Sequence, residues 1–336
     1  MHKKILITGV GGFIGSHFLS HILVNTDWQI IGTDSWRHKG ISERLTFNNH
    51  YRENYHRVKI VTHDLTAPLS NVLKHTIGSV DYIVNFASES HVERSIDDPV
   101  PFVKNNVDIA LTMLEYAKEV KPEKFIQIGT DEVYGPTDEI TTHPEWSAIL
   151  PSNPYSASKA AQEALAISYW RTYGVPVILT NVMNQFGEMQ DVEKFIPMVI
   201  RKILNGYTVK IHIDPKTGRS GSRFWLHTRN TSDVILFLLR EVSATMYPEH
   251  DRPERFNIVG EKRIANLDIA KMVAQIMGKE LKFELVDAHS SRPGHDPHYG
   301  LSGEKLLRYG YHFPKNLEES LEKMVKWTLD NPRWLE

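Results

Sequence analysis

The sequence predicts an α/β protein, a doubly wound parallel sheet followed by a smaller C-terminal lobe. Short apolar runs alternate with helical patterns through the first half of the chain, which is the signature of strand–helix–strand units. The runs are continuous rather than alternating in polarity, as strands buried on both faces must be. After about residue 183 the alternation gives way to longer helical segments and turn-rich stretches.

The elements follow in order. "KILITG" (4–9) is a first strand, and "FIGSHFLSHIL" behind it repeats apolar residues at helical spacing. "WQIIGTD" (28–34) and "RVKIVTHD" (57–64) are the next two strands; the polar, aromatic segment 36–56 between them reads as a loop. "DYIVNFA" (81–87), "KFIQIGT" (124–130) and "VPVILTNV" (175–182) complete the apolar runs, separated by helical patterns over 100–120 and 156–173. Beyond 183, "EKFIPMVIRKILNG" is helical and stops at Gly206, and "IHIDPKTGRSGSRF" (211–224) is a turn-rich loop between strand-like pieces. "TSDVILFLLREV" is an apolar helix with Thr231 or Ser232 as its N-cap. "RFNIVG" is another strand, "NLDIAKMVAQIMG" a helix closed by Gly278, and "NLEESLEKMVKWTLDN" a final amphipathic helix. The expected division is a first domain of 1–182 rejoined by 223–260, and a second lobe of 183–222 with 261–336.

Composition excludes several classes. With 336 residues, 41% hydrophobic and 24% charged, the chain is an ordinary globular one. A formal charge of −2 argues against nucleic acid as a partner. There are no cysteines, so disulfides and thiolate chemistry are out. No apolar run reaches membrane-spanning length. "MHKKILITGV" places basic residues before an apolar stretch, as signal peptides do, but the stretch breaks at Gly9 into a glycine-rich turn. A soluble cytoplasmic protein is the expectation.

The turn after the first strand is "TGVGGFIGS". Gly9, Gly12 and Gly15 stand directly after a strand and open a helix, where backbone N–H groups and the helix dipole receive a pyrophosphate. Asp34 ends the second strand, nineteen residues after Gly15. A carboxylate there accepts from a ribose 2′-hydroxyl and repels a 2′-phosphate, which selects NAD over NADP. Arg37 is the counter-signal. Asp64 and Leu65 end the third strand and fall beside the adenine; a helix N-cap is an equally good role for Asp64.

"NPYSASKAA" stacks Tyr155 and Lys159 on one helix face at i, i+4. A free phenol is a poor base at neutral pH, with a pKa near ~10. A lysine cation within reach and the positive nicotinamide ring would favour the phenolate, able to take a proton from a substrate hydroxyl. With the glycine loop and Asp34, this resembles an extended short-chain dehydrogenase/reductase, with the Rossmann fold that family implies. Thr130 then matches the family's Ser/Thr that hydrogen-bonds the reacting hydroxyl.

Redox at one carbon needs Thr130, Tyr155 and Lys159, and leaves Asp131 and Glu132 over. An adjacent acid and base suit loss of water beside a carbonyl, provided that one is protonated and the other ionised. The alternative is a pair of carboxylates in a solvated turn. "TDEVYG", "PYSASKA", "ASESHVERSI" and "SRPGHDPHY" together resemble the nucleotide-sugar 4,6-dehydratases, in the branch that acts on dTDP-glucose, over residues 5 to about 313. The resemblance implies a hydro-lyase in which Tyr155 deprotonates the sugar 4-OH, Glu132 removes the C5 proton and Asp131 protonates the departing 6-hydroxyl. NAD is the implied cofactor, held by Gly9, Gly12, Phe13, Ile14, Gly15, Asp34, Asp64, Leu65, Ala87, Tyr155 and Lys159. A nucleotide-diphosphate sugar is the implied substrate, contacted by Ser90, His91, Asn184, Lys194, Arg223, Asn257, Arg292, His295 and Tyr299. Plainer roles exist for three of these: Lys194 a helix cap, Arg223 a surface cation, Asn257 a strand-end turn residue. His289, His295 and His298 lack the spacing of a metal site, and no metal is expected. Relatives pair helices such as 100–120 and 156–173, so a homodimer is implied.

The chain departs from the family pattern in Gly129 before the triplet, in "NQFG", in Pro297 and His298, and in a longer segment before Arg223. The last two leave the identity of the base open: thymine, uracil or another. Rival readings are a dehydratase acting on UDP-glucose or another NDP-hexose, a nucleotide-sugar 4-epimerase or 5,6-dehydratase and, from another class, a non-catalytic NAD-sensing binding protein.

Overall fold

The computed structural model describes residues 2–37, 39–215, 217–287 and 296–336. Two compact units emerge from the chain's contacts. The first comprises Met1–Val133, Asn153–Asn181 and Ser232–Phe256; the second comprises Tyr134–Ser152, Val182–Thr231 and Asn257–Glu336.

The first unit is built on a sheet of seven strands. They are β1 (Lys4–Thr8), β2 (Gln29–Asp34), β3 (Val58–Thr62), β4 (Tyr82–Asn85), β5 (Lys124–Thr130), β6 (Val177–Val182) and, late in the chain, Glu254–Ile258. The order is Glu254–Ile258, β6, β5, β4, β1, β2, β3, with β1 parallel to both β2 and β4, β2 to β3 and β4 to β5. The chain therefore starts in the middle of the sheet and winds outward both ways, which leaves a crevice at the carboxyl ends of β1 and β4. Ile5, Leu6, Ile7, Ile83, Val84, Phe125, Ile126, Ile178 and Leu179 are fully buried. Each such side chain contributes roughly 1.5–3 kcal/mol, which explains the unbroken apolar runs.

Three helices position the site. α1 (Phe13–Asn25) follows the glycine turn, and α6 (Pro99–Val120) and α7 (Pro154–Tyr173) pack against each other. α7 starts two residues before the helical pattern does because Asn153 caps it. The Asn153 carboxamide accepts from Ser156 N, Ser156 Oγ accepts from Asn153 N, Pro154 stands at the first turn, and Gly174 closes the helix at φ 65°.

Four sequence expectations change. The loop over 36–56 contains two short helices, α2 (Glu43–Thr46) and α3 (Asn49–Asn54), the second capped by Asn48. Two further helices, α4 (Asn71–Ile77) and α5 (Val92–Asp97), stand before α6. The helix over 231–242 begins at Thr228, so Thr231 and Ser232 lie inside it and cap nothing. The unit boundaries also differ from 1–182 with 223–260. Residues 134–152, 223–231 and 257–260 belong to the second unit. Backbone pairing is the reason for the first of these: Thr137 N donates to His298 O and His143 N to Gly300 O.

The second unit has its own core, in which Ile196, Val199 and Ile200 of α8 (Phe195–Leu204) pack with Ile269 and Val273 of the Asn266–Met277 helix and Leu321 of the Leu317–Asp330 helix. Its strands Val209–Ile213 and Phe283–Asp287 pair in parallel. Among the described residues no helix is long and apolar enough to cross a membrane.

Candidate active site

The glycine turn is shaped by close approach. Gly9 has φ +64°, and a Cβ there would sit 3.0 Å from Ala87 N. A Cβ on Gly15 would lie 2.2 Å from Gly9 O, so α1 can pack this tightly on the loop only with glycine. Gly12 is the N-cap of α1; no side chain caps this end and its first turn carries no acidic residue. Phe13 and Ile14, the first residues of the helix, thus present an N-terminus suited to an anion. Asp34 is buried at the end of β2, with Oδ2 accepting from Gly11 N at 2.8 Å and Oδ1 from Trp36 N at 3.0 Å. Its carboxylate is therefore fixed beside the turn. Arg37, the counter-signal, is paired with Asp64 at 2.9 Å. Asp64 also accepts from Thr66 N and Oγ1. Burial raises its carboxyl, but the Thr66 hydrogen bonds and the Arg37 charge outweigh that and hold it below the usual range. Asp64 thus does the capping work of a turn, and buried Leu65 follows it. Together the glycine cradle, the uncapped helix end and the held carboxylate fit a dinucleotide.

The second cluster lies at the end of β5. Thr130 and Asp131 are buried, and Thr130 Oγ1 donates to Asp131 Oδ1 at 2.8 Å. Asp131 and Glu132 open a short 3-10 turn, Asp131–Tyr134, instead of a solvated loop. Glu132 Oε2 accepts from Asn153 Nδ2 at 3.2 Å, so the residue that caps α7 also holds this carboxylate. Tyr155 stands on the first turn of α7, its N–H donating to Ser95 Oγ, and its phenol feels Glu132, Thr130 and Asp131. Burial, then the charges of Glu132 and Asp131, push the Tyr155 phenol far above its ordinary value, and Thr130 only partly offsets this.

Lys159 shares the helix face, but its ammonium donates to Ile128 O and Gln162 Oε1, both at 2.7 Å. Burial lowers Lys159 to about 8, while Glu163 pulls it up. The protein's own groups thus keep Tyr155 protonated at neutral pH; favouring its phenolate takes a further positive charge.

Gly129 is explained by what lies behind it. A Cβ there would meet Glu163 Oε1 at 2.5 Å and Thr180 O at 2.6 Å. Glu163 and Arg255 form a salt bridge at 2.9 Å with each side chain 1% exposed. Asn181 Nδ2 donates to Glu163 Oε1 at 2.6 Å and to Thr130 O at 3.1 Å, connecting this pair to the reactive turn. Sequence reading missed Asn153, Glu163, Asn181 and Arg255. Only Asn153 carried a local signal, an Asn-Pro pair at the start of a helical pattern; the others meet through the fold.

The remaining expected residues divide by unit. In the first, Ala87 N donates to Thr8 Oγ1, Ser90 is exposed, and His91 caps α5 by accepting from Arg94 N. In the second, Asn184 Oδ1 and Asn257 Oδ1 are buried without a hydrogen-bond partner among the described residues. Asn257 Nδ2 donates to His143 O and Ser302 O. Lys194 occupies the N-cap position of α8. Arg223 is no surface cation: it donates to Pro297 O and Asp296 O and lies 4.7 Å over the Tyr299 ring, whose hydroxyl donates to Asp296. Arg292, His289 and His295 fall outside the described residues, as does Lys216. Among the described residues no group of three or more His, Asp or Glu is arranged to hold a metal ion.

A doubly wound sheet with this glycine turn, with Thr130 at the end of β5 and Tyr155 and Lys159 on α7, defines an extended short-chain dehydrogenase/reductase. The family model described as GDP-mannose 4,6 dehydratase matches residues 6–324, and the chain belongs to that family of nucleotide-sugar dehydratases. It is 32% identical to dTDP-glucose 4,6-dehydratase 1 of Escherichia coli strain K12, over 99% of this chain and 94% of that protein. It is 34% identical to the trifunctional UDP-glucose 4,6-dehydratase/UDP-4-keto-6-deoxy-D-glucose 3,5-epimerase/UDP-4-keto-L-rhamnose-reductase of Arabidopsis thaliana, over 99% of this chain and 48% of that protein. Among solved structures, dTDP-glucose 4,6-dehydratase of Streptomyces venezuelae with NAD and TYD bound superposes with a TM-score of 0.87 at 30% identity, covering 99% of both chains.

Proposed function

We propose that this protein is an NAD-dependent NDP-glucose 4,6-dehydratase that converts its substrate to the NDP-4-keto-6-deoxyglucose, with dTDP-glucose the lead substrate and UDP-glucose the alternative. The observation that carries the reading is the Thr130–Asp131–Glu132 turn against Tyr155, its first two residues buried and Glu132 half-buried, which adds two carboxylates to a dehydrogenase set. An epimerase has no use for them.

NAD, when bound, supplies the reversible oxidation at C4 and the positive ring that favours the Tyr155 phenolate. Thr130 hydrogen-bonds the 4-hydroxyl and Tyr155 accepts its proton. The new ketone acidifies C5; Glu132 removes that proton and Asp131 protonates the departing 6-hydroxyl. The hydride taken from C4 then returns to C6 and a proton returns to C5, which gives the 6-deoxy product. Asn153 and Asn181 hold the turn that carries both carboxylates. In the second unit, Asn184, Lys194, Arg223, Asn257 and Tyr299 are the residues proposed for the nucleotide diphosphate. The two buried amide oxygens there suit a ligand's hydroxyl or imide donors. In the turn between Val209–Ile213 and Ser222–Phe224, Arg219 is paired with Glu139. This turn is proposed to set the choice of base.

Incubation with dTDP-, UDP-, CDP- and GDP-glucose, followed by mass detection of water loss, tests the reading. Turnover of at least one of the dTDP and UDP sugars is expected. Exclusive use of GDP-glucose, or no dehydration of any, would overturn it. NAD should also copurify with the protein, because the reaction returns the cofactor to its starting state. Denaturing the purified protein and assaying the supernatant should recover NAD from the wild type and little from Asp34→Ala.

A further inference from the structure

We propose that Gln162 is a positioning residue for Lys159, locking the ammonium through an amide whose orientation is dictated at both ends and passed across the sheet to the strand that carries the glycine turn. The inference rests on the functional reading above.

Gln162 lies three residues beyond Lys159 on α7 and is completely buried. Its Oε1 accepts from Lys159 Nζ at 2.7 Å, and its Nε2 donates to Asn106 O of α6 at 2.7 Å. An ammonium only donates and a carbonyl only accepts, so the amide has one permitted orientation. That orientation propagates. Gln127 Nε2 of β5 donates to the same Gln162 oxygen at 3.2 Å, which leaves Gln127 Oε1 to accept from Asn85 Nδ2 of β4 at 2.9 Å. Asn85 Oδ1 accepts from Thr8 Oγ1 of β1 at 2.6 Å, and Thr8 Oγ1 accepts from Ala87 N. Thr8 immediately precedes Gly9. All five side chains from Thr8 to Lys159 are buried. A buried chain of this kind is costly if any member lacks its partner, so every amide holds its neighbours in register.

Both acceptors of the Lys159 ammonium, Ile128 O and Gln162 Oε1, are uncharged. Among the described residues, the charge that acts on Lys159 is that of Glu163 on its own helix, itself tied to Arg255; Tyr155, Asp131 and Glu132 form the neighbouring cluster. A neutral acceptor places the cation without cancelling it. This is what a lysine needs if its charge is to act on a nearby phenolate and on bound cofactor. A carboxylate at the same place would bind the ammonium more tightly and screen it.

Two variants test this. Gln162→Leu removes the acceptor, and Gln162→Glu keeps its shape and adds charge. Titration of the full protein labelled with carbon-13 at lysine Cε, with Lys159→Met to assign the signal, reads the ionisation of Lys159 without turnover. The Lys159 midpoint should fall by at least about half a pH unit in Gln162→Leu and rise by at least about one in Gln162→Glu. Since the cation is lost as pH rises through its midpoint, the alkaline limb of kcat should move the same way in each variant. At neutral pH, Gln162→Leu should lose about tenfold or more in kcat with little change in KM. Midpoints that stay at the wild-type value in both variants would overturn the proposal, as would a loss confined to KM or to melting temperature. Should Gln162→Leu not fold, Gln162→Glu alone decides the matter by the same titration. If the midpoints move but the wild type dehydrates no glucose nucleotide, the positioning role stands and the functional reading falls.

Discussion

Glu132→Gln should leave the first oxidation running and stall the elimination. The substitution keeps the size of the side chain and its contact with Asn153 Nδ2, so the turn that opens at Asp131 should stay folded. It removes the ability to take a proton from C5. General acid–base catalysis of this sort contributes roughly a hundredfold to ten-thousandfold, and the rate of water loss should fall by about that factor. Reduced cofactor should then accumulate in a single turnover, visible by absorbance, while mass detection finds no dehydrated sugar. Asp131→Asn should behave similarly, because it blocks protonation of the leaving hydroxyl. Tyr155→Phe should differ by showing no reduced cofactor. Normal turnover by Glu132→Gln would make the triplet a mere turn and remove the main support for a dehydratase.

The second large effect concerns stability. Arg255→Leu should destabilise the protein by about 3–5 kcal/mol, since it leaves the Glu163 carboxylate buried without its cation. Both partners are 1% exposed, so water cannot take the place of the guanidinium. Burial already raises the Glu163 carboxyl against the pull of Arg255, Asn181 and Lys159. Removing Arg255 should raise it further. The sign follows: the unfolded carboxyl titrates near ~4.3, the folded one higher, so the deficit is full at neutral pH and shrinks as pH falls toward the unfolded value. Thermal melts of the single variant across pH should show this convergence with wild type. Glu163→Gln in the same background should recover most of the loss, because removing both charges avoids the unpaired one. A single variant as stable as wild type at neutral pH would mean that Glu163 is protonated in the native protein.

Legibility of the sequence varied with the range of the interaction. The six apolar runs, the glycine turn, Asp34 and the helices over 100–120 and 156–173 were readable because strand burial and helix periodicity leave short-range patterns. Thr130, Asp131, Glu132 and Tyr155 were nameable for the same reason, each lying in a short motif, and the structure brings them together in one cluster. The helices in 43–54 were hidden because they are one or two turns long and polar, with no apolar stripe to mark them. Residues 134–152 could not be assigned to the second unit from sequence, since what holds them is backbone pairing to residues more than 150 positions away.

By itself, then, the sequence determined the order of strands and helices, the turn that suits a dinucleotide and the residue types available for chemistry. Tertiary structure decided how those residues are poised. It tied Lys159 to Ile128 O and Gln162, raised the phenol by burial, paired Arg37 with Asp64, and set Glu163 and Arg255 behind Gly129. The physical reason is that periodicity and propensity act over a few residues. Desolvation and buried hydrogen bonding depend instead on which distant segments converge, and no local pattern encodes that convergence.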